Sequence, residues 1–174
     1  MNRNLLIFAA IFILVVAVYL NRAYSRIYEH NGIILLSPFK SSSMTIPKSN
    51  SVNKLTYVSL GDSLSAGLGS DDYKKTITYI FAMDLSKKAS VDFINLAFSG
   101  ATTSDLINFQ LDEAMKLNPN YISLFIGIND LHNLLPPEKF QQNMAVIIDK
   151  LTKNTKAKIV AFNLPYLGSN QLIL

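Results

Sequence analysis

The sequence predicts an α/β domain built on a parallel sheet, behind an apolar N-terminal segment. Three observations predict it. From residue 55 onward, short β-rich apolar runs alternate with amphipathic stretches. The first three runs each lead into a cluster of Gly, Ser, Asn, Asp or Thr. The chain has 174 residues, enough for one domain and an appendage but too few for two ordinary domains.

In chain order, residues 55–60 read as a strand, 74–88 as a helix, 91–97 as a second strand and 103–117 as a second helix. Residues 121–126 give a third strand, 138–152 a third helix and 157–163 a fourth strand. The runs YVSL, VDFINLA, YISLFIG and KIVAFN suit strands buried on both faces. Strand–helix alternation makes those strands parallel, joined by right-handed crossovers. Pro136-Pro137 before Glu138 suits a helix start, because proline in the first turn forfeits no needed hydrogen bond. After Asn163 the sequence reads LPYLGSNQLIL. A domain of this kind continues with a further helix and strand, so the last strand and helix are expected to be missing.

Residues 5–20 (LLIFAAIFILVVAVYL) form an apolar run. As a helix it is about 24 Å long at a rise of about 1.5 Å per residue, against a hydrocarbon core of about 30 Å. Asn4, Asn21 and snorkelling Arg3 and Arg22 extend it. Three readings compete: an uncleaved signal anchor, a cleaved signal peptide and a buried core helix. The anchor is preferred, because Tyr19-Leu20-Asn21-Arg22 lacks the small residues of a cleavage site. The expected organisation is a transmembrane anchor over 1–22, a stalk or linker over 23–54 and the folded domain over 55–174. Within the stalk, residues 32–36 suit a short strand or a membrane-surface contact, and 40–54 (KSSSMTIPKSNSVNK) read as flexible linker. A single-pass, membrane-anchored protein with its domain outside the cytoplasm is the expectation, although Arg3 is opposed by Arg22 and Arg26 in the charge count that sets orientation.

Composition excludes several classes. At 49% hydrophobic and 16% charged, the chain is not intrinsically disordered. Cysteine is absent, which removes a disulfide framework, a thiolate metal site and a cysteine nucleophile. Residues 1–54 carry six Lys/Arg and one acid, net +5, whereas 55–174 carry ten and eleven, net −1. The domain therefore has no basic face for nucleic acid.

Chemistry-bearing residues cluster after three successive strands. The first leads into Gly61-Asp62-Ser63-Leu64, the second into Ser99-Gly100-Ala101-Thr102, the third into Gly127-Ile128-Asn129-Asp130. In a parallel sheet these carboxyl-end loops share one edge. With the first strand between the other two, they meet in a crevice at the switch point. Ser63 then supplies a hydroxyl and an N–H at a helix start, Gly100 an unobstructed N–H, and Asn129 a side-chain amide: three donors for an oxyanion. Singly, each has a plainer reading: a capping serine, a turn glycine, and a loop pair Asn129-Asp130 that caps the next segment. Gly67-Leu68-Gly69-Ser70 matches neither phosphate-loop pattern, and Asp62 with Asp130 at adjacent strand ends suits a Mg²⁺-dependent phosphotransfer site.

Together the three clusters resemble the first three sequence blocks of the SGNH/GDSL hydrolases, over about residues 55–168. The resemblance implies a flavodoxin-like three-layer α/β/α fold, a nucleophile at Ser63, and an oxyanion hole from Ser63, Gly100 and Asn129. It also implies serine ester hydrolysis of acyl or acetyl groups (lipase- or lysophospholipase-like), with small-molecule, lipid or carbohydrate esters as substrates and no cofactor or metal. Asp62 is then structural. The family's catalytic His and Asp come from a late D-x-x-H block that this chain does not contain. Its two histidines are His30 in the stalk and His132 after the third cluster. His132 does not match the family's base and reads as a loop residue. The expectation is an N-terminal portion of such a domain, a poor esterase and marginally stable. The alternative is a non-catalytic, membrane-tethered binding module of the same fold.

Overall fold

A computed structural model describes residues 14–19, 22, 42–48 and 52–162. The chain divides into two compact units, Met1–Leu36 and Ser37–Leu174. In the first, residues 14–19 are helical, and Leu14, Val15 and Tyr19 are exposed. Six residues of helix rise roughly 9 Å, against about 30 Å of hydrocarbon. Among the described residues no helix is long and apolar enough to cross a membrane, which corrects the predicted transmembrane helix. The rest of the 5–20 run, and the strand expected over 32–36, lie outside the described residues.

The second unit is built on a five-stranded sheet: β1 (Ser42–Ile46), β2 (Lys54–Gly61), β3 (Ser90–Asn95), β4 (Tyr121–Phe125) and β5 (Lys158–Ala161), in the order β1-β3-β2-β4-β5. β2 through β5 are parallel, as the alternation predicts, and β2 lies between β3 and β4. The sheet is nevertheless mixed, because β1 pairs antiparallel with β3. That corrects both the all-parallel expectation and the reading of residues 40–54 as linker. Ser-rich composition hid a period of two in SSMTI. Ile46 is buried, and Met44 packs with it on the core beneath. Thr45 points the other way, and its hydroxyl donates to Asp92 at 2.8 Å. An edge strand pairs on one side only, so it needs less apolar content than a central one.

Helices cover both faces. α1 (Ser63–Ala66) follows β2, and α2 (Ile77–Ser86) leads to β3. The predicted 103–117 helix is observed as α3 (Thr103–Asp105), a π-helical stretch Leu106–Gln110, and α4 (Leu111–Lys116). α5 (Ile128–His132) follows β4, and α6 (Pro137–Asn154) starts with Pro136 as cap and Pro137 inside the first turn, as expected. Alternation along β2 sends Val58 and Leu60 to one face, where Leu106, Leu111, Ile147 and Leu151 cover them. Tyr57 goes to the other, with Phe93, Ala82, Leu85 and Ile46. Strand order reverses at β2. A crossover of constant hand must then change face, and α2 and the 103–116 run do lie on opposite faces. The result is the three-layer α/β/α arrangement, with its switch point where β2 ends.

Candidate active site

The site grows from the end of β2. Gly61 has φ +141°, and a Cβ there would stand 2.0 Å from the Phe125 carbonyl oxygen, so only glycine lets β2 finish this close to β4. The Asp62 N–H then donates to that same carbonyl at 3.1 Å. Asp62 is the N-cap of α1, its Oδ1 accepting from Leu64 N–H at 3.0 Å. Ser63 is therefore the first helical residue. Its N–H is one of those that the helix leaves without an internal acceptor. Gly67, at φ +91°, ends α1 after four residues, too few for a substantial macrodipole. The free N–H itself, rather than a long helix behind it, is what favours negative charge here.

The second loop is folded against the first. Asn95, at the end of β3, donates through Nδ2 to the Ser65 carbonyl at 2.9 Å and accepts from Ala97 N–H at 3.1 Å. Phe98 N–H reaches the Gly61 carbonyl at 3.4 Å. Gly100 follows at φ +82° and is exposed, with nothing within 4 Å of where its Cβ would be. Thr102 and Asp105 then form a reciprocal capping box that starts α3.

The third loop is stapled to the second. Asn129 donates through Nδ2 to the Ala101 carbonyl at 2.9 Å. That bond uses one of its two amide hydrogens and leaves the other for a ligand. Asp130, next in sequence and buried, accepts from Thr103 N–H at 2.9 and 3.1 Å and from the Thr103 hydroxyl. Asn143 of α6 donates to that hydroxyl oxygen at 2.8 Å. The three loops are thus tied pairwise: first to third through Phe125, first to second through Phe98, second to third through Asn129 and Asp130. Ser63, Gly100 and Asn129 are brought to one edge of the sheet, where Ser63 and Asn129 are half-buried and Gly100 is exposed.

Asp62 is the electrostatic anomaly. It is fully buried, and its Oδ2 has no hydrogen-bond partner among the described residues. Burial pushes its carboxyl up to about 6; the Leu64 N–H opposes the rise and the nearby Asp130 charge adds to it. His132, the last residue of α5, is exposed. Among the described residues it is joined by no hydrogen bond or ion pair to Ser63 or to a carboxylate. His30 lies outside the described residues.

Sequence reasoning missed Thr103, Asn143 and Gln110 as supports of this edge. Thr103 stands at the start of the predicted 103–117 helix, where a threonine carries no signal of a carboxylate partner 27 residues away. The other two are buried amides on amphipathic segments, where a single Asn or Gln gives no periodic signal. Gln110 is 1% exposed, and its amide bonds both backbone groups of Gly61 at 2.8 Å.

Solved structures share this fold over part of their length. TesA matches with a TM-score of 0.56 and 25% identity, over 63% of this chain and 62% of its own. AlinE4, an SGNH-hydrolase family esterase, matches with 0.56 and 25%, over 64% and 60%. The psychrotrophic esterase EstA from Pseudoalteromonas sp., in a structure inhibited by monoethylphosphonate, matches with 0.52 and 23%, over 63% and 59%. The chain thus spans about six tenths of the length of these proteins. No curated protein sequence matches it. The sequence pattern of the GDSL-like lipase/acylhydrolase family matches residues 59–172, which carry all three clusters, and the chain belongs to that family.

Proposed function

We propose that this chain is a serine ester hydrolase, with Ser63 as nucleophile and with Ser63 N–H, Gly100 N–H and Asn129 Nδ2 as the oxyanion hole. The observation that supports the reading is the pairwise tying, at the switch point, of the three loops that carry Ser63, Gly100 and Asn129. Ser63 Oγ adds to the ester carbonyl carbon, and the carbonyl oxygen takes the developing negative charge. Each donor contributes roughly 3–4 kcal/mol to that transition state. Small acyl or acetyl esters are the substrates we assign. Lipid and carbohydrate esters fall in the same class.

The hydroxyl proton needs a base; among the described residues His132 makes no hydrogen bond to Ser63, and His30 lies outside them. Loss of the base in a triad enzyme costs on the order of 10⁶ in turnover, while the oxyanion hole and binding retain roughly 10³–10⁴ over water. The unaided chain is therefore a slow esterase, and a base supplied from solution should accelerate it. The test is hydrolysis of p-nitrophenyl acetate by the full chain with and without imidazole, with Ser63→Ala as the reference for imidazole acting alone. We expect an imidazole-dependent excess over Ser63→Ala, together with covalent capture of Ser63 by a fluorophosphonate. A folded chain whose rates equal those of Ser63→Ala at every imidazole concentration, and which takes up no probe, is the binding module instead.

A further inference from the structure

We infer that Gln110 is a positioning residue for the Ser63 turn: its side-chain amide acts as a substitute strand that holds Gly61, two residues before the nucleophile. This inference rests on the reading of Ser63 as nucleophile. β3 ends at Asn95, paired as far as Ser59, whereas β2 runs on to Gly61. On the β3 side no strand reaches Gly61: its carbonyl takes only the long 3.4 Å bond from Phe98 N–H in the loop beyond β3. Gln110 fills the place. Its Oε1 accepts from Gly61 N–H at 2.8 Å, and its Nε2 donates to the Gly61 carbonyl at 2.8 Å. The orientation is unambiguous, because a backbone N–H only donates and a carbonyl only accepts. On the opposite side the Phe125 carbonyl holds Asp62. The turn that presents Ser63 is gripped from both flanks.

The device that delivers the amide is the π-helical stretch. Leu111 N–H bonds the Leu106 carbonyl, five residues back, and Gln110 closes that wide turn at φ −107°. One added residue per turn rotates Gln110 inward, between Leu106 and Leu111, which cover the core. A regular helix over 103–116 would place its side chains in a different rotational register. The local irregularity thus has a specific product: a buried amide whose oxygen and nitrogen are both bonded to the backbone of the nucleophile turn.

Two variants test the role. Gln110→Leu keeps the bulk and removes both bonds. Gln110→Glu keeps the acceptor for Gly61 N–H but sets lone pairs against the Gly61 carbonyl until the introduced carboxyl is protonated, which its burial favours. The full chain and both variants are compared by amide hydrogen exchange at Gly61 and Asp62, whose N–H groups are bonded, referenced to Ile122 and Leu124 of β4. The Ser63-dependent, imidazole-assisted hydrolysis is measured alongside. For Gln110→Leu we expect faster exchange at the turn relative to β4, and a turnover lower by roughly 10- to 100-fold with KM little changed. For Gln110→Glu the turnover ratio to the parent chain should recover as the pH falls, through the joint titration of the introduced carboxyl and the neighbouring Asp62. Unchanged exchange and turnover in folded Gln110→Leu overturns the inference. Loss of the fold in both variants overturns it too, in favour of a purely structural glutamine. A parent chain without Ser63-dependent turnover refutes the hydrolase reading instead. The exchange at Gly61 then decides by itself whether the amide holds the turn.

Discussion

Gly61 and Gly100 both sit at positive φ, +141° and +82°, yet replacing them tests different things. At Gly61 an added Cβ meets the Phe125 carbonyl oxygen at 2.0 Å and Ser65 Oγ at 2.6 Å, so β2 and β4 must part. Overpacking and left-handed strain act together there, and Gly61→Ala should destabilise the domain by about 3 kcal/mol or more. At Gly100 the Cβ meets nothing within 4 Å, and only the backbone strain remains, about 1–2 kcal/mol. Gly100→Ala should therefore stay folded and keep its N–H, while Gly61→Ala should not hold its turn. Urea titration of both variants checks the ordering; equal losses would mean that the close approach of Gly61 to Phe125 is relieved cheaply. The plainest part of the site in the sequence was this glycine-bearing set, because a motif of small residues after a strand end signals a backbone that must come close to something. Gln110 was invisible for the converse reason. Its partners are backbone atoms 49 residues away, and no pattern in its own segment encodes them.

At the scale of elements, the parallel core was legible because β2, β3, β4 and β5 are apolar runs of the right length between amphipathic stretches. The predicted boundaries fall within a few residues of those observed. Three departures have physical causes. β1 was masked by serine and by its edge position, where Met44 and Ile46 alone carry the period of two. The π-helical interruption was masked because apolar Ile107 and Phe109 fill the five-residue step between buried Leu106 and Leu111, so the run still reads as one amphipathic helix. The predicted membrane helix rested on apolarity over residues 5–20, of which the described helix holds six residues. β1 offers a direct measurement. Ile46 is 8% exposed and packs with Val91, Phe93 and Tyr57. Ile46→Ala should cost about 2 kcal/mol, the low end for a truncated core side chain, since the position lies at the edge of the sheet. A residue in a flexible linker would cost nothing. Denaturant midpoints of Ile46→Ala against the parent chain separate the two.

The stability of the whole folded unit is coupled to pH through Asp62, which caps α1 at the central strand's end. Burial holds its carboxyl at about 6, against an ordinary value of 3.8. The unfolded chain returns it to the ordinary value, so between 3.8 and about 6 the folded state binds more protons than the unfolded one. The sign follows: this group's contribution becomes less favourable as pH rises through that window, and above it the fold carries a buried carboxylate with one oxygen unpartnered. Asp62→Asn removes the titration but keeps a carbonyl oxygen to accept from Leu64 N–H. The stability of Asp62→Asn minus that of the parent chain should therefore increase with pH across the window and level off on either side. Any fixed penalty for the new amide, which also lacks a partner, shifts the curve without tilting it. Urea unfolding of both proteins at pH steps across the window measures this difference. A flat difference would mean that water or a partner reaches Oδ2 and that Asp62 titrates normally. A difference falling with pH would mean that the carboxylate stabilises the turn beneath Ser63, which would make its charge, rather than its shape, the reason for an aspartate at the cap.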